Sequence, residues 1–393
     1  MSRLPLEGLL VLEFSQYLSG PVAGLRLADL GARVIKIERP QGGDAGRRLS
    51  IKNLWTDDSS LLFHTINRNK ESFTADLKNP EDLAVVKKLI EKADVLTHNF
   101  RPGIMEKVGL GYPEAKRINP RIIYGAISGY GKEGPWKNRP GQDLLLQSMS
   151  GLAYTTGNAK DNPMPFGLAI ADNLCGSQLV QGILGALIRR HKTGIGALIE
   201  ISLLESLLDF QFELLTTYHS SGLLPKRSDV NNGHPLLHAP YGIYETADGH
   251  IAIAMVDIKQ LGTTIECEEL AAFDQKDAFS LRDEIKSVLA RHLLAHPSAF
   301  WLEKLHTNDL WAMEVLDWQR LTKQEAYACL QMEQSIQTNG KSITTTRCPI
   351  RINGERIFSP KPAPQLGQDN KKIIDELING SRLGNRQSSI GNS

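Results

Sequence analysis

The sequence predicts an α/β fold: a parallel, doubly wound sheet with a second, smaller domain after it. Three observations carry this. Short apolar runs rich in β-branched residues alternate with amphipathic stretches of helical period. The composition changes near residue 222, where Asn, Gly, Pro and His become frequent. A length of 393 residues, 41% of them apolar, suits two domains better than one.

The elements follow in order. Leu9–Phe14 (LLVLEF) reads as a strand. Pro21 can occupy a first helical turn, where a missing N–H costs nothing, so Val22–Leu30 reads as a helix closed by Gly31. Arg33–Glu38 (RVIKIE) alternates as a second strand, completing a strand–helix–strand unit. Pro80–Lys92 is an amphipathic helix, and Asp94–His98 and Arg121–Ile127 are strands. Ala171–Arg190 is a long helix, Ala197–Ser202 a strand, and a further helix reaches Tyr218. Beyond the loop at Pro225–Pro240, Tyr241–Glu245 and His250–Met255 flank Asp248-Gly249, a hairpin signal. Helical segments are expected to about residue 335. Arg347–Ile357 is strand-like, and Asn370–Ile378 is a helix that rejoins the first domain. The expected division is 1–224 for the large domain, 225–335 for the small one, 336–380 for a return segment and 381–393 for a flexible Gly/Ser-rich tail.

Composition excludes several classes. Lys plus Arg number 45 against 44 for Asp plus Glu, so no global field favours nucleic acid or an acidic membrane. The N-terminus lacks the apolar core of a signal peptide, and no uncharged stretch is long enough to span a bilayer. Four dispersed cysteines without a C-x-x-C pair fit a reducing cytoplasm and suggest neither disulfides nor zinc. His234/His238 and His292/His296 are spaced four apart, but Leu293 stands where a zincin has Glu, so no metal site is expected. No G-x-G-x-x-G turn follows the first strand, and there is no P-loop or G-x-S-x-G elbow.

Polar residues recur just past predicted strand ends, where open parallel sheets bind ligands. Arg39 follows RVIKIE; Asn99, Phe100 and Arg101 follow DVLTH, with Lys107 one turn further; Arg68, Asn69 and Lys70 form a third cluster. Singly, each reads as a solvated surface group. Together they could surround a polyanion such as a nucleotide pyrophosphate, with Phe100 stacking on a base or simply packing. Asp172, between an apolar run and the long helix, reads on local physics as a helix cap. A nucleophilic carboxylate would suit the same place, because a helix start favours its ionised form.

The ordered series VLEFSQYLSGPVAGLRLADLGARVIKIERP, NRNKESFTADLKNPED, ADVLTHNFRPGIMEKVGLGY, NPRIIYGAISGYGKEGPW and ADNLCG, with FSPKPAPQLG near the end, resembles the class III CoA-transferases. Their superfamily includes formyl-CoA transferase, carnitine CoA-transferase and α-methylacyl-CoA racemase. The resemblance spans about residues 5–380. It implies a Rossmann-like large domain built from both chain ends, a smaller α+β domain and an interlocked homodimer. It implies CoA transfer from an acyl-CoA to a small carboxylic acid, with CoA as cosubstrate and no tightly bound cofactor. Asp172 falls on the family's nucleophile, and its chemistry would pass through a mixed anhydride and an aspartyl-CoA thioester. Asp143 falls near an assisting acid. The CoA positions fall on Arg39, Arg68, Asn69, Lys70, Asn99, Phe100 and Lys107, with Arg101 and Arg139 as neighbours.

Departures from the pattern bear on function. Leu18 or Gln16 stands where formyl-CoA transferase has Gln, and VDIKQLGTT replaces its glycine run. The racemases carry His before the acid of the G-H-D segment; here that residue is Gln142, an amide that cannot serve as a base. Transferase is therefore the expected activity. A racemase, and a CoA-binding homologue without catalysis, are the alternatives.

Overall fold

The computed structural model describes residues 4–380; the tail expected over 381–393 lies outside them. The chain forms two compact units. Of the described residues, the first comprises 4–143, 169–206 and 331–380, and the second 144–168 and 207–330. Segments 144–168 and 207–224 thus group with the second unit, ahead of the composition change near 222. Loop composition reports exposure, not which core a helix packs on.

The first unit is built on six parallel strands: β1 (Leu10–Glu13), β2 (Arg33–Glu38), β3 (Glu71–Thr74), β4 (Val95–His98), β5 (Ile123–Ser128) and β6 (Ala197–Ser202). Their order is β3-β2-β1-β4-β5-β6. Inner strands covered on both faces need continuous apolar runs, and Val11, Leu12, Val34, Ile35, Val95 and Leu96 are all buried. Its helices include α1 (Ser19–Asp29), α2 (Pro80–Lys92), α3 (Asp143–Met149, which starts this unit's exit into the second) and α4 (Ile170–Thr193). Gly31, at φ 106°, makes the left-handed turn from α1 into β2. Asn79 caps α2 by accepting the N–H groups of Glu81 and Asp82, with Pro80 at the first helical position. Leu89 and Ile90 of α2 join Leu12, Ile35, Leu96 and the C-terminal Ile373 in one core.

β3 was not expected from the sequence. Its residues, Glu-Ser-Phe-Thr, are mostly polar because it is an edge strand. The C-terminal segment covers that edge: Asp369 and Asn370 accept the N–H groups of Ser72 and Thr74, each at 2.9 Å. The expected helix at 370–378 begins as α and ends in a π turn at Ile374–Ile378.

The second unit holds a three-stranded antiparallel sheet, β7 (Gly242–Glu245), β8 (His250–Ile253) and β9 (Ala312–Glu314), in the order β9-β8-β7. The β7–β8 hairpin turns at Asp248-Gly249 as expected. One sheet face packs on α5 (Arg282–Leu293) and α6 (Ser298–Thr307) through Tyr244, Ile251, Leu289 and Trp301. β9 lies within the stretch read as helical, as does the start of a hairpin of the first unit, Glu333–Thr338 with Lys341–Thr346, which turns at Asn339-Gly340. Among the described residues no helix is long and apolar enough to cross a membrane.

In the first sheet the chain direction of travel reverses between β1 and β4. The loops leaving those strands diverge, and the crevice they leave is where such sheets hold ligands.

Candidate active site

Loops following β1, β2, β3 and β4 line a cleft of about 170 Å³. Its walls include Phe14, Ile37, Leu77, Phe100 and Val108, and Arg39 and Lys78 bring positive charge to it. The Arg39 guanidinium donates to the Gly43 carbonyl at 3.2 Å, which fixes its direction. Phe100 stacks on the His98 ring, centroids 6.1 Å apart, and its N–H donates to His98 Nδ1 at 3.3 Å. Burial pushes His98 down to about 4, so it supports Phe100 as a neutral ring. An apolar slot with a rigid aromatic and exposed cations suits a planar heterocycle carrying phosphates.

Other expected ligand residues are placed differently. Arg101, Lys107 and Arg139 are exposed but do not line the cleft; Arg139 lies 5.9 Å from the Trp136 ring. The cluster Arg68, Asn69 and Lys70 turns inward. Arg68 is fully buried against Asp29, and Lys70 is fully buried against Glu13. The Asn69 amide donates to the Ala28 carbonyl at 3.0 Å. These side chains are spent on the protein itself, because β3 brings them under α1 and away from solvent. Asn99 is spent likewise: its amide oxygen accepts the Gln16 N–H at 2.8 Å and its nitrogen donates to the Gln16 carbonyl at 2.7 Å.

Asp172 lies in the first turn of α4, half-buried. It is not the helix cap that local physics favoured; Ala169 holds that position, without a side-chain bond. The Asp172 N–H donates to an Asp143 carboxylate oxygen at 3.1 Å, which brings the two expected acids together. The Asp172 carboxylate accepts hydrogen bonds from the hydroxyl and the backbone N–H of Ser19, at the start of α1. Burial, then the Asp143 charge, pushes Asp172 up to about 6, against the opposing pull of the Ser19 bonds. A carboxylate so placed is ionised at neutral pH yet more basic than usual, which favours nucleophilic attack. Close approach of α1 and α4 depends on Gly176, where a Cβ would sit 2.6 Å from the Ser19 carbonyl oxygen. One turn from Asp172, the Cys175 thiol is pushed up to about 12 by burial and stays protonated.

Sequence reading missed Ser19. In SGP it looks like an ordinary helix-start serine, and its contact with Asp172 bridges residues far apart in the chain. The expected histidine pairs serve local structure: His234 bonds Glu213, and His292 bonds the Ile265 carbonyl.

A parallel sheet with this crevice, and paired carboxylates at a helix start, are compatible with covalent acyl transfer. The chain belongs to CoA-transferase family III, whose model matches residues 6–370. It is 36% identical to an acetyl-CoA:oxalate CoA-transferase of Acetobacter aceti, across 95% of this chain and 96% of that one. It is 31% identical to a succinate–glutarate CoA-transferase of Agrobacterium fabrum, over 95% and 96%. Among solved structures it resembles a CAIB/BAIF family protein from Brucella suis, with a TM-score of 0.83, 31% identity and coverage of 96% and 100%. The chain is accordingly a CoA-transferase.

Proposed function

We propose that this enzyme moves CoA from an acyl-CoA to a short dicarboxylic acid, with Asp172 as the nucleophile. The observation that carries the reading is the Asp172 carboxylate, raised to about 6 beside Asp143 and held by Ser19 at the start of α1.

An Asp172 oxygen attacks the acyl carbon of the donor thioester. The C–S bond breaks, CoA leaves as thiolate, and a mixed anhydride joins donor acyl group and Asp172. The thiolate then attacks Asp172 Cγ, expelling the donor carboxylate and leaving an aspartyl-CoA thioester. The acceptor carboxylate attacks Cγ, releases the thiolate and forms a second anhydride. Attack of the thiolate on the acceptor carbonyl yields the new acyl-CoA and frees Asp172. No proton is gained or lost overall. One difficult exchange becomes four acyl transfers of similar energy. Asp143 assists by holding the Asp172 backbone and raising the basicity of its carboxylate.

The cleft beside Phe100 fits the adenine of CoA, with Arg39 and Lys78 toward its phosphates. Exposed Arg101, Lys107 and Arg139 belong to an outer, weaker part of the anion path. Arg68, Asn69, Lys70 and Asn99 support the site from inside. Support for a dicarboxylate comes from the relatives: those named for oxalate, for succinate and glutarate, and for L-malate all match at 29% identity or more. Gln142 in place of a basic side chain supports transfer over racemisation. A cytoplasmic homodimer is part of this reading; the exposed Ile243 and Met313 on the outer face of β7–β9 are the kind of surface a second chain covers.

The test is a pairwise assay of acetyl- and succinyl-CoA against oxalate, malate, succinate, glutarate, carnitine and benzoate. Transfer confined to dicarboxylates is expected. Transfer only to carnitine or benzoate, or α-proton exchange without acyl exchange, contradicts the reading.

A further inference from the structure

We propose that the buried cluster Glu13, Lys36 and Lys70 positions Asp172, acting through the loop of residues 15–21 that carries Ser19. The inference rests on Asp172 being the nucleophile and adds to it residues that touch no substrate.

Glu13 divides its two oxygens between the lysines, accepting Lys36 Nζ at 2.9 Å and Lys70 Nζ at 2.8 Å. Each lysine then donates to a carbonyl at one end of the loop. Lys36 reaches Ser15 O at 2.8 Å, and Lys70 reaches Pro21 O at 2.9 Å. Their remaining donors go to Asp44 at 2.8 Å and Asn67 at 2.9 Å. The middle of the loop is held from outside the cluster. Asn99 bonds both backbone groups of Gln16, and Asp44 accepts the Tyr17 N–H at 3.1 Å. Tyr17 is thereby kept at φ 64°, a left-handed conformation that a tyrosine seldom adopts unless its surroundings impose it. Gly20 lets the loop close, since a Cβ there would lie 2.1 Å from Ser15 Oγ. Asn99 Nδ2 also reaches Ser19 Oγ at 3.4 Å, and the same hydroxyl bonds the Asp172 carboxylate.

Stability alone does not account for this cluster. Glu13, Lys36 and Lys70 have no solvent exposure. Withdrawing each ion from water costs several kcal/mol, and apolar packing of equal volume often serves stability as well or better. What the ions supply, and apolar side chains cannot, is a set of donors aimed at the two ends of one loop.

The double variant Glu13→Gln/Lys70→Met removes one buried charge of each sign, so no ion is left unpaired. Asn99→Ala loosens the loop from its half-buried outer side. In both, and in Ser19→Ala, the pH dependence of Asp172 labelling by a water-soluble carbodiimide is read by peptide mass spectrometry, with folding checked by circular dichroism. Carbodiimide attacks the protonated carboxyl, so the midpoint follows Asp172 directly. The expected result is an upward shift of about one pH unit in all three variants, a tenfold weaker ionisation. A folded network variant with the wild-type midpoint, or an unmoved midpoint in Ser19→Ala, overturns the proposal. Labelling requires no catalysis, so failure of wild-type enzyme to form a CoA adduct would count against the nucleophile and leave the positioning test intact.

Discussion

Replacing Asp172 by Asn should stabilise the protein at neutral pH while abolishing transfer. Burial and the Asp143 charge raise Asp172 from 3.8 to about 6. At 1.36 kcal/mol per pH unit this corresponds to about 3 kcal/mol of folding free energy. The sign follows from linkage. The folded state holds the proton more tightly than the unfolded chain, so stability is full below pH 3.8 and is lost as pH rises through 6. Asn carries no charge at any pH and escapes the loss. Against wild type, Asp172→Asn should therefore melt higher at pH 8, by roughly 5–10 °C for a unit of this size. The difference should shrink to near zero at pH 4. Melting by circular dichroism at four pH values across that range measures it. An Asn variant less stable than wild type at pH 8, or a difference that does not shrink in acid, would refute the assignment of Asp172 as a strained, functional carboxylate.

The first half-reaction should rise about tenfold per pH unit up to a midpoint near 6, because only ionised Asp172 attacks. In Asp143→Asn, loss of the neighbouring charge should move the Asp172 labelling midpoint toward acid; a move toward alkali contradicts the coupling. Gly176→Ala drives a Cβ against the Ser19 carbonyl, which should cost about 1–3 kcal/mol and slow transfer at least tenfold; unchanged melting and rate would show that α1 and α4 need no such closeness. Calorimetric titration should give about tenfold weaker CoA binding in Arg39→Ala and in Phe100→Ala. Arg68→Ala, which leaves the buried Asp29 with Arg26 as its remaining ion-pair partner, should cost about 1–3 kcal/mol of stability, with CoA affinity unchanged in whatever protein folds.

Much of the fold was legible because the inner strands announce themselves. Leu9–Phe14 is a nearly continuous apolar run, Arg33–Glu38 alternates with strand period, and Pro80 with Asn79 marks a helix start without ambiguity. The polar edge strand at Glu71–Thr74 escaped notice because its stability comes from Asp369 and Asn370, almost three hundred residues away. β9 escaped because three residues carry no period. The Asn339-Gly340 hairpin was a missed signal of the ordinary kind.

The site was legible in part. Asp172 stood out on local physics chiefly as a helix cap and Asp143 only through the family series, and the structure brings them together. Arg68, Asn69 and Lys70 misled, since a run of basic and polar residues past a helix reads the same whether it faces solvent or a buried carboxylate. The acids that receive them, Asp29 and Glu13, lie in other elements and cannot be paired from spacing.

The central claim is that CoA passes through Asp172. Incubation with succinyl-CoA without acceptor, acid quench and peptide mass spectrometry test it most directly. The account predicts a peptide containing Asp172 that carries CoA as a thioester, is lost on treatment with hydroxylamine and is absent from Asp172→Asn. An enzyme that exchanges acyl groups while its Asp172 peptide stays unmodified, or that still exchanges them as Asp172→Asn, would contradict it.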